Sequence, residues 1–483
     1  MGSSRRILAY AAGFALFAWF VFLIRGSLSC WFDADDLMNM HRAWERPWST
    51  LLWANVTFWS SYYRPGGALL YRSLYACWGF HPLPLHIAAF VFLCADFALL
   101  AAVVYQLTES RWAALLALLL VGINPTFSAA YFYTGNLYDI LAYLFFWAVF
   151  VFYVCLRRDG RVPGLRELII LLCLFVAALN AKEIAVSLPP AVALYELIWH
   201  PPNGWRWITQ EGRFASIGAL FDSVYIIGKQ HGPDTLYQYD AYRPHYSLSA
   251  YIQSLSHYLH ELLYRPSPDW HWQILWVIAG MTAIAAVTRL RCLIWSIGFI
   301  LIGVLPLSFI ATRTGSAYLL PAVGWAVYGA GLASWLVHLI PARQARLRTA
   351  VQVILLALLF VLLAPWQYRA FAAHARAVHE AEARFIDYHQ QIHSLIPNPP
   401  KGAHILLLTD AGGYTDWDVY FLIRLSYADP SLQVERMSVR RAEHKQTNLA
   451  TYDYLLDWAG RRFVLVKYKP TAQTPARPKF GVY

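Results

Sequence analysis

Long apolar runs recur along the chain as far as residue 366, with short polar stretches between them. The runs lie at 7–25, 83–107, 112–133, 139–156, 167–181, 184–199, 213–228, 272–288, 292–312, 316–340 and 349–366. Several approach the ~20 residues that an α-helix needs to cross the hydrocarbon core of a bilayer. The run at 213–228 is short and contains Asp222, which makes it the weakest of the series. The pattern predicts an all-α polytopic membrane protein with about eleven transmembrane helices.

The chain after residue 366 has a different pattern. A polar helical stretch comes first, followed by HILLLTD (404–410), a helical stretch from Asp416 to about Tyr427, LQVERM (432–437) and RFVLVKY (462–468). Short β-rich runs that alternate with a helix are typical of a small α/β domain. We therefore divide the chain into a transmembrane domain, 1–366, and a small soluble α/β domain, 367–483.

Arginine residues indicate which side of the membrane each loop occupies. With the N-terminus inside, the inside segments hold Arg5, Arg6, Arg111, Arg157, Arg158, Arg161, Arg166, Arg206, Arg289, Arg291, Arg343, Arg346 and Arg348. The short outside turns hold only Lys182 and Arg313. This asymmetry follows the positive-inside rule, and about eleven crossings then put the C-terminus outside.

Two long loops, 26–82 and 229–271, also fall on the predicted outer side. The second contains YSLSAYIQSLSHYLHELLY, whose apolar residues recur at helical spacing. That pattern predicts an amphipathic helix at the membrane interface.

Composition agrees with a membrane protein. The chain is 58% hydrophobic and only 14% charged, with a mean hydropathy of +0.40, whereas soluble proteins carry about 25% charged residues. The net charge of +11 could indicate nucleic-acid binding, but the arginines stand at the ends of apolar runs rather than on one basic face. The N-terminal run could be a signal peptide. It approaches bilayer length without a small-residue cleavage site, so we interpret it as a retained helix.

Three carboxylates follow the first apolar run, in CWFDADDLMNMHRAW. Asp33, Asp35 and Asp36 lie within four residues of one another. Crowded carboxylates raise the pKa of one member unless a cation compensates, so the cluster could supply a general base or hold a divalent metal. The alternative is a helix cap, since Asp is a favoured N-cap residue. Cys30 and Cys77, in the same loop, could form a disulfide or remain free thiols.

Cationic side chains also occur on the predicted outer face. Arg64 and Arg72 stand among aromatic residues in YYRPGGALLYRSLYACWGFHPLP. The guanidinium fork suits a phosphate, and an anchor at the membrane interface is the alternative. Lys182 and Glu183 share a tight turn, where a lysine at membrane depth needs a partner. We expect Glu183 to be that partner when no donor is bound.

Two further helix ends lie on the same predicted face. Asn136 and Asp139 begin a helix in YTGNLYDILAY, either as functional groups or as caps, and Arg313 and Tyr318 lie in ATRTGSAYLLPAVG. Asp96, inside an apolar run, is expected to be a buried structural acid. Acids and cations on one membrane face suit a reaction between a lipid-linked phosphate and a nucleophile.

The order of these motifs resembles the GT-C superfamily of multispanning glycosyltransferases. Its members include protein O-mannosyltransferases, tetratricopeptide-bearing O-mannosyltransferases and lipid A aminoarabinose transferases. The motifs are the Asp35–Asp36 pair, YYRPGGALLYR, LPLHIAAFVFLCADFALL, GNLYDILA, NAKEIAVSLPPAVALYEL and SAYLLPAVGWAV, which run in order from residue 30 to about 340. The resemblance implies a polyprenyl-phosphate-sugar donor and an active site in the first outside loop. The tail has no tetratricopeptide pattern, so no acceptor is implied.

The predicted activity is an inverting transfer of a sugar from a polyprenyl phosphate to a hydroxyl of a protein, lipid or polysaccharide. One aspartate of the cluster, Asp35 first, would deprotonate the acceptor. The proposed phosphate ligands are Lys182, Arg64, Arg313, Arg72 and Tyr318, with Glu183, Asn136 and Asp139 in support. A bacterial inner membrane or the endoplasmic reticulum would suit the protein.

Two other classes of function would also explain intramembrane charges. A transporter or lipid flippase would use them as a permeation path, but such proteins often show paired halves with interrupted helices, and we see no such halves. A non-catalytic scaffold would present the tail domain. The large outside loops and the soluble tail favour the enzyme.

Overall fold

The computed structural model describes residues 3–202, 204–232, 235, 240–265, 270–413 and 416–468. The first helices are α1 (Ser3–Ile24), α2 (Ala34–Glu45), α3 (Trp48–Thr57), α4 (Pro65–Trp78), α5 (Leu83–Thr108), α6 (Arg111–Ala117), α7 (Ser128–Phe132), α8 (Leu137–Arg158), α9 (Leu165–Ala181) and α10 (Leu188–Trp199). They are followed by α11 (Arg206–Thr209), α12 (Arg213–Gln230), α13 (Leu248–Leu262), α14 (Gln273–Thr288), α15 (Arg291–Gly303), α16 (Ala322–His338), α17 (Ala345–Leu395), α18 (Asp418–Tyr427) and α19 (Met437–Ala442). The strands are β1 (His404–Leu407), β2 (Gln433–Arg436), β3 (Tyr454–Ala459) and β4 (Arg462–Tyr468). A mostly helical fold with a small C-terminal sheet is therefore confirmed.

Four of the described helices are long and apolar enough to cross a membrane: Arg6–Ser29, Leu83–Thr108, Thr134–Arg158 and Ala345–Leu395. A fifth is added if the pair Arg111–Gly122 and Pro125–Phe132, bent by 53°, is one span. The bend falls at Asn124, whose side chain accepts a hydrogen bond from the Thr126 N–H (3.0 Å). Other apolar runs form shorter helices, so about eleven crossings stays a prediction.

The helix α17 is 51 residues long, which corresponds to about 77 Å. That is more than twice the ~30 Å hydrocarbon core of a bilayer. The apolar run at 349–366 is only its first part, and the polar remainder extends well beyond it.

Contacts between residues divide the chain into two compact units. The first unit consists of Met1–Ser29, Trp48–Leu70 and Leu85–Arg376, and the second of Cys30–Pro47, Tyr71–Pro84 and Ala377–Tyr483. The boundary that the sequence predicts at 366/367 falls inside α17 and stays a prediction. The second unit also includes two stretches of the first long loop.

The core of the first unit is aromatic where α8 and α15 meet. Trp147 packs edge-on against Phe299 (5.2 Å between ring centroids), and Trp295 stacks on Phe299 at 4.9 Å. Such ring pairs stabilise by about 0.5–1.5 kcal/mol beyond the apolar area that they bury. A buried ion pair lies near the end of α8, where Arg157 Nε is 2.8 Å from Glu196 Oε1. Because both partners are buried, replacing either one alone would leave an unpaired buried charge and would strongly destabilise the fold.

The second unit is built on a four-stranded sheet in the order β2-β1-β3-β4. The strand β1 pairs in parallel with β2 and β3, and β3 pairs with β4 in antiparallel. The helix α18 packs on α2, and the Tyr75 hydroxyl donates to the Leu425 carbonyl oxygen at 2.6 Å. These contacts attach both loop stretches to the tail within one unit. The strands β1, β2 and β4 and the helix α18 were expected from the sequence, whereas β3 was not.

Candidate active-site residues

Two of the three clustered aspartates cap the helix α2 in the second unit. Asp33 Oδ1 accepts from the Asp36 N–H (2.8 Å), and Asp36 Oδ2 accepts from the Asp33 N–H (3.1 Å). This reciprocal pair is a capping box, so the cap interpretation holds for these two residues. Burial raises the pKa of the Asp33 carboxyl to about 6, against the effect of the hydrogen bond from the Asp36 N–H.

Asp35 differs from its two neighbours. It lies in the first turn of α2, is exposed and takes no part in the capping box. Asp36, by contrast, is 1% exposed. A general base must reach the proton that it removes, so Asp35 is the best placed carboxylate of this cluster for that role.

Two ion pairs in the first unit involve Arg64 and Lys182. Arg64 donates from Nε (3.2 Å) and Nη2 (3.1 Å) to Glu183 Oε2. The Lys182 ammonium donates to Asp139, which corrects the expectation that Glu183 would be its partner. The physical reason is local: Lys182 is extended (φ −158°, ψ 149°), and successive side chains along extended backbone point to opposite sides.

The backbone around Arg64 is strained and closely packed. Arg64 has φ 46°, in the left-handed region that costs a non-glycine residue about 1–3 kcal/mol. Its guanidinium lies 5.2 Å from the centroid of the Tyr138 ring. A Cβ on Gly67 would lie only 2.1 Å from ring carbons of Tyr138, so only glycine permits this approach. The motif RPGG therefore serves to seat Arg64 against α8.

The remaining predicted ligands in the first unit have different surroundings. Asn136 Oδ1 accepts from the Ser316 hydroxyl at 2.7 Å, which ties the start of α8 to the turn before α16. The Arg313 guanidinium lies 4.4 Å from the centroid of the Tyr242 ring. Tyr318 is 1% exposed and stacks on Tyr258 at 4.5 Å, an arrangement typical of a packing residue.

Arg72 belongs to the second unit. It donates from Nη1 to the Trp44 carbonyl oxygen (2.6 Å) and, with Arg46 and Arg424, lines a cavity of about 590 Å³. Glu45 also lines this cavity and is 3.6 Å from Arg424, so three arginines and one carboxylate leave it with a net positive charge. The structure therefore brings Arg64, Lys182, Glu183, Asp139, Asn136, Arg313 and Tyr318 into the first unit, and Arg72 with the aspartates into the second.

Two groups of residues that the sequence did not identify as site residues have side chains that could bind an anion or a metal ion. Lys229, in α12, donates to the Tyr62 carbonyl oxygen beside Arg64. Cys30, His379 and Glu382 lie close enough to hold a metal ion, and the spacing of His379 and Glu382 on a helix is the signal that could have identified them.

Other expectations are settled by burial and bonding. Cys30 is buried, Cys77 is exposed, and neither forms a disulfide in this structure. Asp96 is 5% exposed, as expected of a buried acid. Neither finding adds a reactive group to the candidate site.

Comparison with known proteins gives a likeness of fold over the full chain. No protein-family model matches the chain, and no curated protein sequence is significantly similar to it. Its structure is similar to that of ArnT from Cupriavidus metallidurans, solved bound to undecaprenyl phosphate, with a TM-score of 0.52 and 13% sequence identity. The match covers 98% of this chain and 100% of that one. The chain therefore shares the fold of ArnT over nearly its whole length, which agrees with the multispanning fold that the sequence resemblance implied.

Proposed function

We propose that this chain is a multi-pass membrane glycosyltransferase that takes a sugar from a polyprenyl-phosphate donor. The observation that carries the proposal is the full-length likeness to a GT-C enzyme solved with undecaprenyl phosphate. The identity of 13% leaves residue roles to be argued from this chain's own side chains.

The phosphate of the donor is assigned first to Arg64 and Lys182. Both are largely buried, with side chains 12% and 11% exposed, and each is paired with a carboxylate. A carboxylate partner keeps such a cation in place without a ligand, and a phosphate can replace it because it presents similar acceptor oxygens. The set proposed from the sequence also includes Arg313, Arg72 and Tyr318, with Glu183, Asn136 and Asp139 as supporting groups. Of these, Tyr318 fits a packing role better, because it is buried and stacked on Tyr258.

The base is assigned to Asp35. Its carboxylate takes the proton of the acceptor hydroxyl, whose oxygen then attacks the anomeric carbon of the donor. The bond from that carbon to the phosphate oxygen breaks, and polyprenyl phosphate leaves with the electron pair. A single displacement inverts the anomeric configuration. The cations at the phosphate stabilise the charge that develops on the leaving group.

The decisive experiment compares glycans in the native host with and without this protein. A glycan that is lost on deletion should return with the wild-type chain and with Asp240→Asn, which changes an exposed carboxylate outside the site. It should not return with Asp35→Asn, because losing a general base lowers the rate by a factor of about 10²–10⁴. Restoration of the glycan by Asp35→Asn would refute the assignment of the base.

The same strains separate a transferase from a lipid flippase. In detergent-solubilised membranes both faces are open, so a flippase is no longer needed for the donor to reach its acceptor. Transfer should therefore stay absent from solubilised membranes of the deletion strain and appear when purified protein is added. Transfer without the added protein would favour the flippase.

A further inference from the structure

Three side chains of different ligand types meet in the second unit. Cys30 comes immediately after the first membrane helix, and His379 and Glu382 lie on the polar part of α17. One ligand atom of each, a sulfur, a ring nitrogen and a carboxylate oxygen, lies within 4.8 Å of the other two. Sulfur, nitrogen and oxygen donors together are a set that Zn²⁺ accepts.

The helix itself aligns two of these groups. His379 and Glu382 are three residues apart, so they share one face of α17, and His379 Nδ1 is 3.5 Å from Glu382 Oε2. Cys30 is held against them because the Glu382 carboxylate accepts hydrogen bonds from the Cys30 thiol and from the Trp31 N–H. The arrangement is therefore fixed by backbone as well as by side chains.

One oxygen of Glu382 is left without a hydrogen-bond partner. Glu382 is only 2% exposed, and its Oε1 is buried and accepts no hydrogen bond. Leaving a buried carboxylate oxygen unsatisfied is unfavourable unless a cation or another donor completes it. Asp33 acts on Glu382 and Asp36 acts on Cys30 through their negative charge, which makes this place attractive to a cation.

We propose that Cys30, His379 and Glu382 bind one divalent cation of the zinc class, with water as a fourth ligand. Zn–S and Zn–N or Zn–O bonds of about 2.3 and 2.0 Å put tetrahedral ligand atoms roughly 3.3–3.6 Å apart, so small side-chain movements close the site. On binding, the Cys30 thiol loses its proton to solvent and neutral His379 coordinates through Nδ1.

The bound ion would have a structural effect on the segment with Asp33, Asp35 and Asp36 and would take no part in the transfer reaction. Cys30 is three residues before Asp33, which caps α2. A metal link from Cys30 to α17 would fix the entry to α2 and hence the direction of Asp35. This assignment does not depend on the proposed transferase activity, because metal content can be measured directly.

The test is metal analysis of the full-length protein, purified in nanodiscs through a tag without histidines. Wild-type protein should hold about one zinc per chain. After exchange with Co²⁺ alone it should show the thiolate-to-cobalt charge-transfer absorption that a cysteine ligand produces. Cys30→Ser should lose that absorption, whereas Cys77→Ser, a change at an exposed cysteine, should keep it.

The variant His379→Ala is a second test in case Cys30→Ser, a change at a buried residue, does not fold. The His379 side chain is 45% exposed, so its removal should leave the fold intact and weaken cobalt binding by at least about tenfold. A wild-type chain that binds neither Zn²⁺ nor Co²⁺ overturns the proposal, and so does a cobalt spectrum that Cys30→Ser and His379→Ala leave unchanged. The cluster would then be a hydrogen-bonded tie between Cys30 and Glu382.

Discussion

Lys182 is 8% exposed, and its ammonium donates a hydrogen bond to the Asp139 carboxylate. The charge of Lys182 is therefore already compensated when no donor is bound. Lys182→Met keeps most of the stem and removes the charge. If a phosphate is the partner in the bound state, donor binding should weaken by about 1.5–3 kcal/mol, the contribution of a charged hydrogen bond. We expect the apparent KM for the lipid donor to rise roughly 10- to 150-fold in nanodiscs, with the acceptor dependence nearly unchanged.

The variant Asp139→Asn is the comparison for Lys182→Met. If Lys182 were only a structural partner of Asp139, both variants would lower the thermal midpoint to a similar degree and neither would change the donor dependence. That result would leave Arg64 as the principal phosphate ligand.

At the level of single residues, the sequence predicted which residues belong to the candidate site better than it predicted which side chains they pair with. It identified Lys182 as a cation that needs a partner, because a charge at membrane depth is costly, and Arg64 as a candidate phosphate ligand or interface anchor. It could not predict that Lys182 pairs with Asp139, since that choice depends on the extended backbone at Lys182 and on the packing of α8 against α9. The sequence placed Asp35 first among the three aspartates, but the physical reason is visible only in the structure, where the capping box occupies Asp33 and Asp36.

The helix α2 allows structural and chemical roles of its aspartates to be separated. Asp33→Ala removes the N-cap, which usually costs about 0.5–2 kcal/mol, and should lower the thermal midpoint of the protein in nanodiscs. Asp35→Ala should leave that midpoint nearly unchanged, because Asp35 is exposed and outside the capping box. Equal losses of stability in the two variants would mean that Asp35 also supports the helix.

At the level of elements, the hydrophobic pattern predicted helices correctly where the apolar runs were long. Each apolar run is helical over at least part of its length. The run at 292–312 is α-helical only as far as Gly303, and the run at 112–133 breaks at Asn124 and Pro125, since proline lacks the N–H that would continue the helix. The strand β3 was missed although the sequence has a turn signal, Gly460, just before the run RFVLVKY. In the structure Gly460 and Arg461 both have positive φ (58° and 67°), as a tight two-residue hairpin turn requires.

Topology is the prediction that belongs to the whole molecule. The arginine asymmetry predicts that the N-terminus lies inside and the C-terminus outside. A reporter that is active only outside should therefore work when fused after Pro400 and stay silent after Arg158. A silent fusion after Pro400 together with an active one after Arg158 would contradict the predicted topology and indicate the opposite orientation.

The overall fold was predictable from the order of the motifs, because they implied a multispanning architecture, and the structure is similar to that of ArnT over nearly the whole chain. The division into units was not predictable. It depends on long-range contacts, such as that between Tyr75 and Leu425, which no local pattern along the chain encodes.

Three separate stretches of chain make up the second unit, and this has a consequence for how the protein is made. About 290 residues lie between Pro84 and Ala377, which a ribosome adding about 5–20 residues per second needs roughly 15–60 s to synthesise. During that time the helix α2, whose first turn contains Asp35 and Asp36, has emerged without the helix α18 that it packs against. The acidic segment therefore reaches its final structure only at the end of synthesis, and an incomplete chain inserted in the membrane would lack a formed site.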